Sequence, residues 1–434
     1  MDSRPSAPWC RPSSKARSIR CAIWRQVKEA DVDFSESQRV KELRERLWAF
    51  IDERVRPAEP RYWQEFSAET TPQRISPVIE ELKAEARKRG LWNLFLPDER
   101  FGPGLSNVEY APLAEISGWS PIAPEAMNCS APDTGNMEVL AQFGTPEQQE
   151  TWLKPLLAGE IRSCIGMTEP DVASSDPTQL ALRIEPDGND YVINGRKWFI
   201  SGAAHPLARV ILLMGLTNPD ADRHARHTIV LVPIDSPGLT IVRQLKVFGF
   251  DDPGSHCEIT FENVRVPQGN RIGEEGMAFL IAQTRLGPGR LHHCMRMLGL
   301  AERALSLMVD RARSRTAFGK RLAEQGVVRE QIARSRVEIE QARLLCQKAA
   351  WLLDTEGSRG ARFEISAIKV VAPNVACGVI DRAIQVHGGA GVSQDLPLTP
   401  MYAYARATRF MDGPDEVHLA TIGREELRKE EGRG

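Results

Sequence analysis

No Cys-x-x-Cys pair occurs in this sequence; its 8 cysteines stand singly from Cys10 to Cys377. That spacing excludes a zinc ribbon and a disulfide framework, and fits a reducing compartment. His292 and His293 are adjacent rather than at metal-ligand spacing, so no metal is expected. Gly319-Lys320 lacks the upstream glycine and the following hydroxyl residue of a P-loop. No Gly-x-Gly-x-x-Gly follows a strand-like run, and no Gly-x-Ser-x-Gly elbow is present. Hydrolase, kinase and NAD-enzyme chemistry therefore lose ground. Excess charge is missing too. The formal net charge is −2, whereas a nucleic-acid binder needs a basic surface. No apolar run approaches a membrane span; the best, Val210-Ile211-Leu212-Leu213-Met214, reads as a buried strand.

What is present is an ordinary globular composition, 42% hydrophobic and 26% charged, over 434 residues. That length is too great for one simple core and predicts two or three packed sub-domains. Residues 1–28 carry Arg4, Arg11, Lys15, Arg17, Arg20, Arg25 and Lys28 among serines, with Asp2 the only acid. This is the composition of a mitochondrial transit peptide. Its poor amphipathic pattern leaves open a disordered tail or a start codon set too far upstream. The location is correspondingly open between a bacterial cytoplasm and a mitochondrial matrix.

After an N-terminal extension at 1–36, residues 37–161 read as helical, with Val40, Leu43, Leu47, Phe50 and Ile51 making one apolar stripe. Thr145, Pro146 and Gln148 suit an N-cap, a first helical position and a capping box, and Gly159 a helix stop. Residues 162–275 change character. Short strand-like runs at Ala181–Ile184, Tyr191–Ile193, Val210–Met214, Ile229–Val232 and Ile259–Phe261 are separated by turn clusters. They predict a β-sandwich or small barrel. From 276 to 434 long helical patterns return, roughly Met277–Arg313, Gln325–Leu353, Phe363–His387 and Val417–Arg428, and predict a four-helix bundle. The fold class expected is multidomain α+β.

Several segments carry possible chemistry, and each has an ordinary structural explanation beside it. Asp412-Gly413-Pro414-Asp415-Glu416 is a sound helix start, with acids in the first turn; it also places a carboxylate where Gly413 lets a ligand approach the backbone. Thr168 to Ser175 is short of bulky side chains and offers N–H groups and hydroxyls to a heterocycle, or is a polar turn. Phe199, in Lys197-Trp198-Phe199-Ile200-Ser201, suits either a stacked ring or a strand core. Gln385-Val386-His387-Gly388-Gly389 reads as a glycine-rich helix exit, and Arg313, Arg315, Lys320 and Arg321 as a solvated basic face.

In this order, these segments resemble the acyl-CoA dehydrogenase family over nearly all of residues 37–434. Met167-Thr168-Glu169-Pro170, Lys197-Trp198-Phe199-Ile200-Ser201, Arg315-Thr316-Ala317-Phe318-Gly319-Lys320 and Gln385-Val386-His387-Gly388-Gly389 match its flavin motifs. Ala131-Pro132-Asp133-Thr134-Gly135-Asn136-Met137 and Gly287-Pro288-Gly289-Arg290 look like one branch of it. In animals that branch includes members fused to a kinase-like domain and active on longer or branched acyl chains; here no such domain is expected.

The resemblance implies FAD as cofactor. Ile165, Met167, Thr168, Phe199 and Ser201 would lie at the flavin ring, and Arg315, Phe318, Gln385, Gly388 and Gly389 at the pyrophosphate and adenine end of a FAD in a neighbouring subunit. Pro414 and Glu416 would lie by the adenosine half, and Ser174, Leu286, Arg290 and Gly413 would contact acyl-CoA. A shared site implies a homodimer or homotetramer, with an electron-transferring flavoprotein as acceptor. The implied reaction is α,β-dehydrogenation to a trans-2-enoyl-CoA in β-oxidation of fatty or branched acyl chains, with Asp412 taking the α-proton and flavin N5 the β-hydride. Desolvation in an acyl pocket is expected to make Asp412 more basic. An acyl-CoA oxidase or a non-catalytic assembly protein retaining the fold are the alternatives. Three departures stand out. Asp412 replaces the family's usual Glu, about 1.5 Å shorter, Ala317 replaces Thr, and the loop from Asp251 to His256 looks short.

Overall fold

The computed structural model describes residues 36–67, 75–250 and 256–431. The basic N-terminal segment and most of the loop from Asp251 to His256 lie outside the described residues. The chain divides into two units, Met1–Gln38 and Arg39–Gly434. Apart from the first residue of the first helix, every described helix and strand belongs to the second unit.

The predicted apolar stripe forms α1 (Gln38–Phe50), burying Val40, Leu43, Leu47 and Phe50. A π-helical turn at Ile51–Val55 carries it into α2 (Arg56–Ser67). Caps then set each start. Ser76 accepts from Ile79 N ahead of α3 (Pro77–Lys88), and Ser106 with Glu109 closes a capping box on α4 (Asn107–Ser117). After α5 (Ala123–Ala126) and α6 (Asp133–Phe143), α7 (Pro146–Gln148) begins on the expected Thr145–Gln148 box. A π turn leads to α8 (Lys154–Ala158), which Gly159 stops in the left-handed region.

The middle region is one mixed sheet of eight strands: β1 (Arg162–Gly166), β2 (Arg183–Asp187), β3 (Asp190–Ser201), β4 (Ala208–Leu216), β5 (His227–Pro233), β6 (Leu239–Leu245), β7 (His256–Pro267) and β8 (Arg271–Ile272). The order is β6-β7-β3-β2-β4-β5-β8, with β1 parallel to β4. Alternation splits β4 between two cores. Val210, Leu212 and Met214 pack towards the helices, while Ile211 and Leu213 join Tyr191, Val230 and Ile259 in a core of the sheet's own. β1 and β6 are missing from the sequence reading. β1 carries only Cys164 and Ile165 as bulky apolar residues, and none of β6 is buried.

The long helices are α9 (Ala278–Ser314), α10 (Gly326–Gly360), α11 (Arg362–His387) and, after an unpredicted α12 (Leu398–Thr408), α13 (Asp415–Glu431). Gly357, at φ 69, interrupts α10. Between α9 and α10 a small hairpin, β9 (Thr316–Ala317) and β10 (Lys320–Arg321), turns on Phe318 and Gly319, both at positive φ. By length and composition Arg362–Val392 is apolar enough to cross a membrane, at a mean hydropathy of 1.5 over an 18-residue window. Yet 61% of that window is buried inside the protein, as in a bundle's core helix.

Candidate active site

The loop joining α12 to α13 does not cap the helix with Asp412. Asp412 has φ 56 and Gly413 φ 106, a left-handed pair that turns the carboxylate inwards. Arg290 on α9 holds this bend, its Nε donating to the Asp412 carbonyl at 2.9 Å. The following turn is pinned separately, with Asp415 Oδ2 accepting from Arg409 Nε at 2.8 Å and Asn374 Nδ2 at 3.1 Å. The Asp412 side chain is 20% exposed, and its Oδ2 lies 3.7 Å from His293 Nε2.

Burial alone would raise the Asp412 carboxyl, as the sequence suggested. Nearby positive charge outweighs it and holds the group below its ordinary value: His293 in its protonated form, then Arg285, Arg290 and Lys369. The expected gain in basicity is therefore reversed in this structure, because three α9 side chains and one from α11 converge on the carboxylate. Burial pushes His293 itself down to about 4, so at neutral pH the imidazole is uncharged and Arg285, Arg290 and Lys369 supply the standing positive field.

Arg285 also lines an apolar cavity with Ile165, Met167, Leu212, Ile281 and Leu286, where the sheet meets α9. Its Nε donates to Asn136 Oδ1 at 3.2 Å. One of its lining residues, Met167, is held by a buried ion pair. Lys197, with no exposed side-chain surface, donates to the Met167 carbonyl and to Glu169 Oε1, both at 2.8 Å. Glu169 accepts from Ala181 N and Leu182 N, so the Met167–Glu169 loop is tied to both neighbouring segments.

Models of the N-terminal, middle and C-terminal domains of acyl-CoA dehydrogenases match residues 37–160, 164–264 and 276–427. The chain belongs to the acyl-CoA dehydrogenase family. It is 58% identical, over 92% of its length and 98% of the other's, to FadE2 of Mycobacterium tuberculosis, named as a probable acyl-CoA dehydrogenase. It is 52% identical to acyl-CoA dehydrogenase family member 10 of Mus musculus over 91% of this chain, but spans only 37% of that longer protein. A solved Mycobacterium abscessus structure assigned to the acyl-CoA dehydrogenases superposes with a TM-score of 0.88 at 52% identity, covering 91% of this chain and 100% of the other.

As a member of this family the protein is an oxidoreductase whose cofactor is FAD. The residues fit a flat heterocycle. Phe199 is not the strand-core residue that β3 would allow; it stands 44% exposed at φ 51. Beside it the Trp198 indole Nε1 is buried without a partner, while the Trp198 backbone N–H donates to the Thr168 carbonyl at 3.0 Å. Ser201 Oγ pairs with His256 Nδ1 at 2.9 Å.

The sequence-predicted residues fall into groups. Ile165, Met167 and Leu286 meet at the cavity. Asp412, Gly413 and Arg290 form the bend, with Arg290 committed to backbone there. Ser174 Oγ closes its own loop on Glu169 N and O. Pro414 is half-buried and Glu416 exposed at the start of α13. Arg315, Phe318, Gln385, Gly388 and Gly389 lie exposed on the hairpin and at the end of α11. Sequence reading gave no role to Arg285 and Lys369, and weighed His293 only as a metal ligand. Leu286, Arg290 and His293 recur at one helical face of α9, and that spacing was the available signal.

Proposed function

We propose that the protein carries out α,β-dehydrogenation of an acyl-CoA thioester to the trans-2-enoyl-CoA, with Asp412 as the base that removes the α-proton. The inward turn of Asp412 towards Arg285, which also lines the apolar cavity, is the observation that supports this most directly. Bound FAD supplies the acceptor for the β-hydride. Asp412 is ionised at neutral pH and so ready to accept the proton. Leu286 and the apolar side chains around it exclude water from the acyl chain. Gly413, lacking a side chain, lets the thioester approach the backbone. Ser174, Leu286, Arg290 and Gly413 make up the acyl-CoA side of this reading.

Ile165, Met167, Thr168, Phe199 and Ser201 hold the flavin ring in this reading, and Pro414 and Glu416 its adenosine half. The exposure of Phe318 on the β9–β10 hairpin supports a site completed between subunits. There Arg315, Phe318, Gln385, Gly388 and Gly389 hold a neighbour's FAD, in a homodimer or homotetramer. Asp in place of Glu at position 412 supports membership of the branch with longer or branched acyl substrates. An electron-transferring flavoprotein is the acceptor, and similarity to a mycobacterial protein favours a bacterial cytoplasm. The test is Asp412→Asn. The variant stays yellow and loses acyl-CoA turnover by at least a hundredfold, on the order expected for a lost general base. Substantial turnover in that variant removes Asp412 from the mechanism. Peroxide formation without an added acceptor reassigns the protein as an oxidase, and flavin that no acyl-CoA bleaches as a non-catalytic member.

A further inference from the structure

His293 Nε2 is closer to the Asp412 carboxylate than any lysine or arginine nitrogen among the described residues, at 3.7 Å from Oδ2. The other face of the imidazole fixes which nitrogen carries the proton. Arg296 Nη2 lies 3.4 Å from His293 Nδ1, and a guanidinium only donates. Nδ1 therefore carries the lone pair, and the ring proton of neutral His293 sits on Nε2, towards Asp412. Arg296 is itself anchored, its Nη1 donating to the Cys129 carbonyl at 2.9 Å. His293 and Arg296 stand one turn apart on α9, so this orientation is set by the helix and by the packing behind it.

We propose that His293 is a positioning residue for Asp412, its Nε2–H turning onto Oδ2 and leaving Oδ1 to face the acyl α-carbon. The inference rests on Asp412 being the base. At 3.7 Å the pair is longer than a hydrogen bond, and a small side-chain rotation on substrate binding closes it. A shorter carboxylate benefits from such a partner. Asp has one side-chain torsion fewer than Glu, and a donor on one oxygen removes the remaining freedom of the carboxylate plane. The donor also favours the ionised form.

The charged and titratable groups facing this pair are Arg285, Arg290, His292, Cys294 and Arg296 from α9, Lys369 from α11 and His418 from α13. Burial pushes His418 down to about 4, so it is neutral with His293 near pH 7. Among the described residues no other lysine, arginine or histidine nitrogen comes as near the Asp412 carboxylate, which makes the His293 N–H the best-placed side-chain donor to orient it.

The test isolates the base from the redox step. With the flavin already reduced by dithionite the β-hydride has no acceptor, so deuterium entering the α-carbon of an acyl-CoA in D2O reports proton removal alone. Butanoyl-, octanoyl- and hexadecanoyl-CoA serve as probes, read by proton NMR across pH. In His293→Phe and in His293→Asn, which keeps a group for Arg296 but cannot reach Asp412, exchange falls about tenfold and its acid limb moves up by about one pH unit. His293→Gln, whose amide reaches the Nε2 position and donates, restores the limb. Acid limbs of His293→Phe and His293→Asn coincident with wild type, with Asp412→Asn inactive, overturn the positioning role and leave the base assignment standing. Exchange persisting in Asp412→Asn, or absent from the wild type with every probe, overturns both.

Discussion

Asp412 and Gly413 share a stretch of backbone that L side chains rarely adopt, at φ 56 and 106. A Cβ added at Gly413 would also come within 3.0 Å of His418 Nε2. Gly413→Ala is therefore expected to lower stability by about 1–3 kcal/mol, read as a shift in the urea midpoint, and to lower turnover further as Asp412 is displaced. Glu138 on α6 makes a prediction in pH. Burial pushes its carboxyl up to about 8, opposed only by the nearby Arg285 charge. The folded protein thus keeps a proton that the unfolded chain has released, so the neutral form's contribution is lost as pH rises from about 4.5 to about 8. Glu138→Gln cannot ionise. Its stability relative to wild type should rise through that window, and equal pH profiles for the two proteins would remove Glu138 as the cause.

At the scale of elements, the Lys197–Glu169 pair joins β3 to the loop after β1. Both side chains are almost wholly buried, with exposures of 0% and 4%. Removing the cation leaves a carboxylate in the interior whose remaining donors are two backbone N–H groups. Lys197→Met should cost about 3–5 kcal/mol and weaken flavin retention, since the Met167 carbonyl loses its donor. Thermal denaturation and the flavin-to-protein absorbance ratio measure the two effects. An unchanged ratio together with a lowered melting temperature would confine the pair to stability.

Across the molecule, one ion pair ties the first helices to the bundle. Glu59 on α2 accepts from Arg303 Nη1 at 2.8 Å and Nη2 at 2.6 Å, and from Ser120 Oγ at 2.6 Å. Residues 244 apart in sequence thus meet in the interior, with side-chain exposures of 12% for Arg303 and 9% for Glu59. Arg303→Met should destabilise by about 3–5 kcal/mol. Because the pair spans the N-terminal helices and α9, the loss should lower the melting temperature of the whole unit. A second transition confined to one region would show instead that the regions unfold separately.

The helical, β and helical order was legible because periods of 3.6 and 2 are local properties of the chain, and the Thr145 box and Gly159 stop depend on neighbours in sequence. β1 escaped because its pairing partner is β4, several elements on in sequence, and β6 because none of its residues is buried. At the site, the flavin motifs and Asp412 were visible as short ordered strings of residues. The sign of the Asp412 shift was not. Desolvation follows from a guess that the pocket is apolar, whereas Arg285, Arg290, His293 and Lys369 act through space from two helices whose register no local pattern fixes. The sequence by itself determined which groups are available and the elements they sit on. Only the tertiary structure decided that four of them converge on one carboxylate, because electrostatic energy depends on distances between side chains and not on their separation along the chain.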